Sequence, residues 1–179
     1  MRQAIGTTWI YQLVIIFILI FVSFLILTLT YSKSYKTKNE IINIIEKHEG
    51  INETSVAVIN NYLYQSGYRY THRCPNPETS PEWLGADSLE TNKLEAVEKG
   101  KKYYYCVRRH LNSQEIKGSR AASNRSLTKY YEIQIFFKFN LPVIENVGTF
   151  TTNGTSNDMF RTNNDMFDKI FYSKKKGSY

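Results

Sequence analysis

Apolar and polar positions divide the chain into three regimes. Residues 3–32 carry no charge, and positions 10–29 are mostly Ile, Leu, Val and Phe. At 1.5 Å of rise per residue, about 20 residues cover the roughly 30 Å hydrocarbon core of a bilayer. Only a helix satisfies its own backbone hydrogen bonds there, so the β-branched content does not argue for a strand. Trp9 and Tyr11 at one end and Tyr31 at the other stand where interfacial aromatics stand. The pattern predicts a transmembrane helix over residues 8–31, preceded by a short cytoplasmic leader, residues 1–7.

The second regime has helical period. Residues 31–49 contain no Pro or Gly, and Ile41, Ile42, Ile44, Ile45 and His48 form an apolar face at i, i+3, i+4 and i+7. Gly50 is the natural stop. The expectation is one helix over residues 8–49, its first half in lipid and its second half amphipathic and packed on a domain. Asn52 is a candidate N-cap for a second helix, with Val56, Ile59 and Leu63 as its stripe and Gly67 at its end. Pro75, Pro77 and Pro81 then break regular structure. Residues 74–89 read as an exposed loop containing Trp83, and Leu89, Leu94 and Val97 allow a short helix over residues 88–99.

The third regime has period two. Residues 102–111 are rich in Tyr and Val. Residues 130–141 alternate, with Tyr131, Ile133, Ile135, Phe137, Phe139 and Leu141 on one face and Glu132, Gln134, Lys138 and Asn140 on the other. Phe136 falls on the polar face and calls for a packing neighbour. Asn153-Gly154 predicts a tight hairpin between strands at 147–152 and 155–161. Met166, Phe167, Ile170 and Phe171 suit a short amphipathic helix or a last strand. Together these predict an α+β fold: a long N-terminal transmembrane helix continuing into an amphipathic helix, a short second helix, and an antiparallel sheet of about four strands. The globular extracytoplasmic domain is expected over residues 32–172, with a flexible basic tail at 173–179.

Composition changes this picture in four places. The mean hydropathy is −0.40 despite the apolar segment, so the rest of the 179 residues is distinctly polar and a second span is not expected. A cleaved signal peptide would have a shorter apolar region followed by small residues, which Leu29, Thr30 and Tyr31 are not. The net charge of +7 includes Lys33, Lys36 and Lys38 after the span and Lys174, Lys175 and Lys176 near the end, either as contacts to anionic headgroups or as solvated surface. Nothing resembles a nucleic-acid module. The even cysteine count, Cys74 and Cys106, suggests one disulfide in an oxidising compartment, against two buried free thiols. Topology is pulled both ways. The three lysines after the span against Arg2 before it favour a cytoplasmic domain, while the cysteine pair and the short N-terminal flank favour an outside one, which is the expectation adopted.

Candidate chemistry is sparse. His72, Cys74, Cys106 and His110 make a zinc set conceivable, but one and three intervening residues are irregular spacings for a knuckle. His48 stands alone. Paired carboxylates and Gly-rich phosphate loops are absent from the sequence pattern, so no enzyme activity, metal or cofactor is expected. Asn52, Asn124 and Asn153 begin glycosylation sequons that an Asn-rich chain produces by chance. The remaining excess is aromatic, with 14 Tyr. Tyr68, Tyr70, Trp83, Tyr103 and Tyr105 are the candidate interaction surface for a protein partner or a cell-wall or surface glycan, with half-buried sheet packing as the competing reading.

The layout resembles type IV pilin-like proteins and minor pseudopilins. In these, a short basic leader ending in Gly precedes an uninterrupted apolar helix that becomes amphipathic and packs on a four-stranded antiparallel sheet. Residues 1–6 resemble the leader, which makes Gly6 the candidate leader-peptidase site; residues 7–30 resemble the apolar half and residues 31–49 the amphipathic half. Cys74 and Cys106 match the disulfide that many pilins carry. The usual Glu at the fifth mature position is missing: cleavage after Gly6 puts Tyr11 there, and the first carboxylate is Glu40. Tip-located minor subunits of such machines can lack it. The resemblance implies a non-enzymatic membrane-anchored structural or assembly subunit of a type IV pilus or a type II secretion-like machine, partnered by the bilayer and by other subunits. The alternative is a membrane-tethered extracytoplasmic ligand-binding or sensor module.

Overall fold

The computed structural model describes residues 2–75, 82–113, 127–138, 148–160 and 165–176. Its first element, α1 (Arg2–Lys47), is a continuous helix of 46 residues, about 69 Å long at 1.5 Å per residue. No Pro or Gly interrupts it after Gly6. It ends in a Schellman motif: the Gly50 N–H bonds the Ile45 carbonyl at 2.9 Å and the Glu49 N–H bonds the Glu46 carbonyl at 3.2 Å. Glu49 takes the left-handed position at φ 55°, and Gly50 follows at φ 134°. A Cβ on Gly50 would lie 2.6 Å from the Tyr131 hydroxyl and 2.8 Å from Lys129 Nζ, so glycine is required here for space as well as for conformation.

The helix α2 (Glu53–Gln65) starts as its sequence predicts. Asn52 Oδ1 accepts the Ser55 N–H at 2.8 Å, and Ser55 Oγ accepts the Asn52 N–H at 2.9 Å, a reciprocal cap. Gly67, at φ 70°, closes α2 with the same motif that closes α1. Val56, Ile59 and Leu63 are buried together with Ile41, Ile44 and Ile45 of α1.

The sheet contains β1 (Trp83–Gly85), β2 (Glu95–Ala96), β3 (Tyr105–Ser113), β4 (Leu127–Lys138), β5 (Thr149–Thr155) and β6 (Met159–Phe160), all pairings being antiparallel. The order is β2-β1-β3-β4-β5, with β6 following β5 along the same edge of β4. Between the Glu132–Thr155 and Lys129–Met159 pairs the register shifts by one residue, the signature of a bulge. Ser156 bridges it: its N–H donates to the Tyr131 carbonyl and its hydroxyl accepts the Tyr131 N–H, both at 2.9 Å. The last element, α3 (Met166–Lys176), is a helix.

One face of the sheet carries Leu84, Tyr105, Val107, Tyr131, Ile133 and Ile135 into the main core under the three helices. The reverse face carries a second, smaller core of Trp83, Val97, Tyr103, Cys106 and Phe136, against which Cys74 packs. Phe136 thereby has the neighbour its polar-face position demanded. The fold is α+β, with a helical layer, a sheet, and a loop layer fastened on the back.

Three local expectations are corrected. Asn153-Gly154 does not turn; both lie inside β5, because α1 crosses there and a Cβ on Gly154 would sit 2.7 Å from Lys38 Cδ and 2.8 Å from Ile42 Cδ1. Residues 88–99 form no helix: Glu95–Ala96 pair with β1, burying Leu94 against the sheet. Residues 173–176 continue α3 rather than a loose tail. The expected strand residues Phe139 and Leu141, Pro77 and Pro81 of the loop, and the Asn124 sequon lie outside the described residues.

Candidate functional site

The five aromatic residues expected to form a surface are not together on one. Trp83, Tyr103 and Tyr105 are buried and Tyr68 is 9% exposed, whereas Tyr70 is 36% exposed. Their excess is explained by two cores rather than one. The Tyr103 ring lies on β1, where a Cβ at Gly85 would come within 2.4 Å of it, and its hydroxyl accepts the Glu98 N–H at 3.0 Å. Tyr105 donates to Asn60 Oδ1 at 3.0 Å, joining β3 to α2. The Tyr68 hydroxyl donates to the Phe136 carbonyl at 2.6 Å and accepts the Phe136 N–H at 2.8 Å, which stitches the end of α2 to β4. Burial drives the Tyr68, Tyr105 and Tyr131 hydroxyls well above the usual tyrosine range, since a phenolate there would lose its hydration.

Cys74 and Cys106 are joined as a disulfide across a separation of 32 residues. With both sulfurs bonded to each other, neither is available to a zinc ion. The flanking histidines have their own neighbours: His72 meets the Phe136 ring edge-on, and His110 stacks on Tyr130 and lies 3.0 Å from a Glu132 carboxylate oxygen. Among the described residues, no group of three or more His, Cys, Asp or Glu side chains converges as a metal site.

Sequence reasoning missed a buried charge cluster. Asp165 Oδ2 accepts from Tyr131 at 2.5 Å, Arg109 at 3.2 Å and Lys129 at 3.3 Å. Its Oδ1 accepts the Phe167 N–H at 3.1 Å and so caps α3. Asp168 completes the group, 2.9 Å from the same Arg109 nitrogen. Burial disfavours the Arg109 charge, but the two carboxylates outweigh it and hold its pKa above the ordinary value. Two cations meet two anions, and Met166 N–H bonds the Ile51 carbonyl at 2.8 Å. The cluster therefore locks the α1–α2 corner to β3, β4 and α3. Removing one partner would leave an uncompensated buried charge, a change worth about 3–5 kcal/mol. The signal was available: Lys129 is in phase with Tyr131, Ile133 and Ile135, so a charge there faces the core and needs a partner.

The remaining candidate lies where the two halves of α1 meet. From Trp9 to Tyr31 the side chains are exposed or only partly covered, and none of the most apolar stretch is buried against the rest of the chain. Burial starts at Ser34 and Thr37 and passes to Ile41, Ile44 and Ile45. Beside the changeover is a cleft of about 270 Å³ lined by Thr30, Lys33, Ser34 and Thr37 of α1, Ser66, Gly67, Tyr68 and Tyr70 after α2, and Phe137 and Lys138 at the end of β4. No protein-family model, no curated protein and no solved structure matches the chain.

Proposed function

We propose that this chain is a single-pass membrane-anchored, non-enzymatic structural or assembly subunit, with its α+β domain outside the cytoplasm and a pilin-like plan. One observation carries the reading. A single unbroken helix presents an uncharged apolar half that the domain leaves bare, then a half whose inward face is built into the core. The bare half needs an apolar solvent, and its length matches the hydrocarbon core. The second half fixes the domain rigidly to it, so force or motion along α1 is passed to the sheet. The disulfide supports an oxidising compartment for the domain.

The bare half also supplies the assembly element, because apolar helices associate in lipid through packing with neighbouring helices. Two measurements test the proposal. A cysteine introduced at exposed Lys93 should react with a membrane-impermeant thiol reagent on intact cells; labelling only after lysis contradicts the outside placement. Mass spectrometry of the mature protein should show loss of residues 1–6 if the subunit is processed as pilins are. An intact Met1 would remove the pilin-like part and leave the anchored subunit.

A further inference from the structure

The cleft beside α1 lies at a defined height on the anchor. Thr30 is at the end of the apolar half, and Thr37 is about 10 Å further along the helix axis. A headgroup layer is about 5–8 Å thick on each side of the hydrocarbon. If residues 10–29 lie in the hydrocarbon, the cleft opens at headgroup level. This step rests on the anchored reading above.

The lining is chemically specific. Two cationic residues from different elements, Lys33 of α1 and Lys138 of β4, line the cleft, together with the hydroxyl-bearing Thr37 and Tyr70. Ser34 is 6% exposed, lines the cleft, and its hydroxyl has no hydrogen-bond partner among the described residues. A buried hydroxyl left without a partner is costly unless something else fills the bond. Neighbouring hydroxyls in α1 bond back to the helix, as Thr30 does to the Ile26 carbonyl at 2.9 Å. Ser34 does not. Ammonium and hydroxyl donors around a small cavity suit a group that only accepts hydrogen bonds and carries negative charge.

We propose that this cleft holds the phosphodiester headgroup of an anionic membrane phospholipid. The phosphate oxygens would accept from Lys33, Lys138 and the Ser34 hydroxyl, while the acyl chains run along the apolar half of α1. The headgroup would fix the depth and rotation of the domain relative to the bilayer, which a helix in lipid does not fix alone.

The test uses the full-length protein in neutral detergent, mixed with phosphatidylglycerol or phosphatidylcholine and read by native mass spectrometry. Phosphatidylglycerol should be retained about tenfold more strongly. The Lys33→Gln/Lys138→Gln variant should lose that preference, at about threefold for each lysine, while Lys93→Gln/Lys102→Gln, with the same loss of charge outside the cleft, should keep it. Ser34→Ala should weaken retention about threefold without lowering domain stability, because it deletes a hydroxyl that bonds nothing among the described residues. A merely structural Ser34 would leave retention unchanged. Millimolar glycerol phosphate should not displace the lipid; displacement would make the cleft a site for soluble phosphates and overturn the lipid assignment. Equal retention of both lipids by a protein that still fractionates with membranes overturns the cleft proposal and leaves the anchor intact. A protein soluble without detergent overturns both.

Discussion

The two halves of α1 are one helix under two sets of rules. In the half after Tyr31, apolar residues recur at helical spacing and only the inward ones are buried; Ile41 and Ile45 are fully enclosed by α2 and the sheet. In the half before it, apolar residues occupy nearly every position and none of the most apolar stretch is buried. The contrast separates two sources of stability. The second half is held by burial within the chain, so its residues matter one at a time. The first half contributes to the domain nothing that depends on any single side chain, and its apolarity must be answered by something outside the chain.

Matched truncations should expose this asymmetry most strongly. Ile45→Ala should destabilise the domain by about 4 kcal/mol, the cost of emptying a closed core site. Leu19→Ala, the same kind of truncation in the bare half, should leave the chemical denaturation midpoint of the domain unchanged. Equal effects would show that the bare half packs on the domain.

Reduction of Cys74–Cys106 should come next in size. Releasing a loop of 32 residues lowers stability by about 3–4 kcal/mol in the chain-entropy model. The loss should appear in denaturation of the domain and not in membrane retention of the full chain. A chain that leaves the membrane on reduction would contradict the independence of the halves.

The smallest effect is alkaline. Tyr68 has a raised pKa in the folded domain because burial excludes its phenolate. Its stabilising contribution is therefore complete below the ordinary value near 10 and is lost as pH rises beyond it. Between pH 10 and 11 this costs about 1 kcal/mol for such a residue. Tyr68→Phe should start from a lower stability, through the lost bonds to Phe136, but should show an alkaline decline shallower by about that amount. An unchanged slope would mean that the hydroxyl is solvated.

What the sequence made legible follows the same division. The continuous helix, the Asn52 cap, the Gly67 stop and the inward face of β4 were readable because each depends on a few neighbouring residues. Asn153-Gly154 misled because a local turn signal was overridden by a distant partner: Gly154 serves the close passage of Lys38 and Ile42. For the aromatic residues the packing reading holds over the surface reading for all but Tyr70, and the second core that takes Trp83, Tyr103 and Phe136 depends on contacts distant in sequence. The Asp165 cluster was legible only in part: Lys129 on the inward face of β4 called for a partner, but only the fold brings Arg109 and Asp165 to it. The cleft was hidden for the same reason; Lys33 was visible after the span, but only the fold brings Lys138 and the end of α2 beside it.

The account depends most on the bare half of α1 residing in lipid. Membranes from cells making the full-length chain, washed with alkaline carbonate, test this directly. The protein should remain with the sedimented membranes and be released only by detergent. Recovery of the uncut chain in the aqueous fraction without detergent would contradict the account.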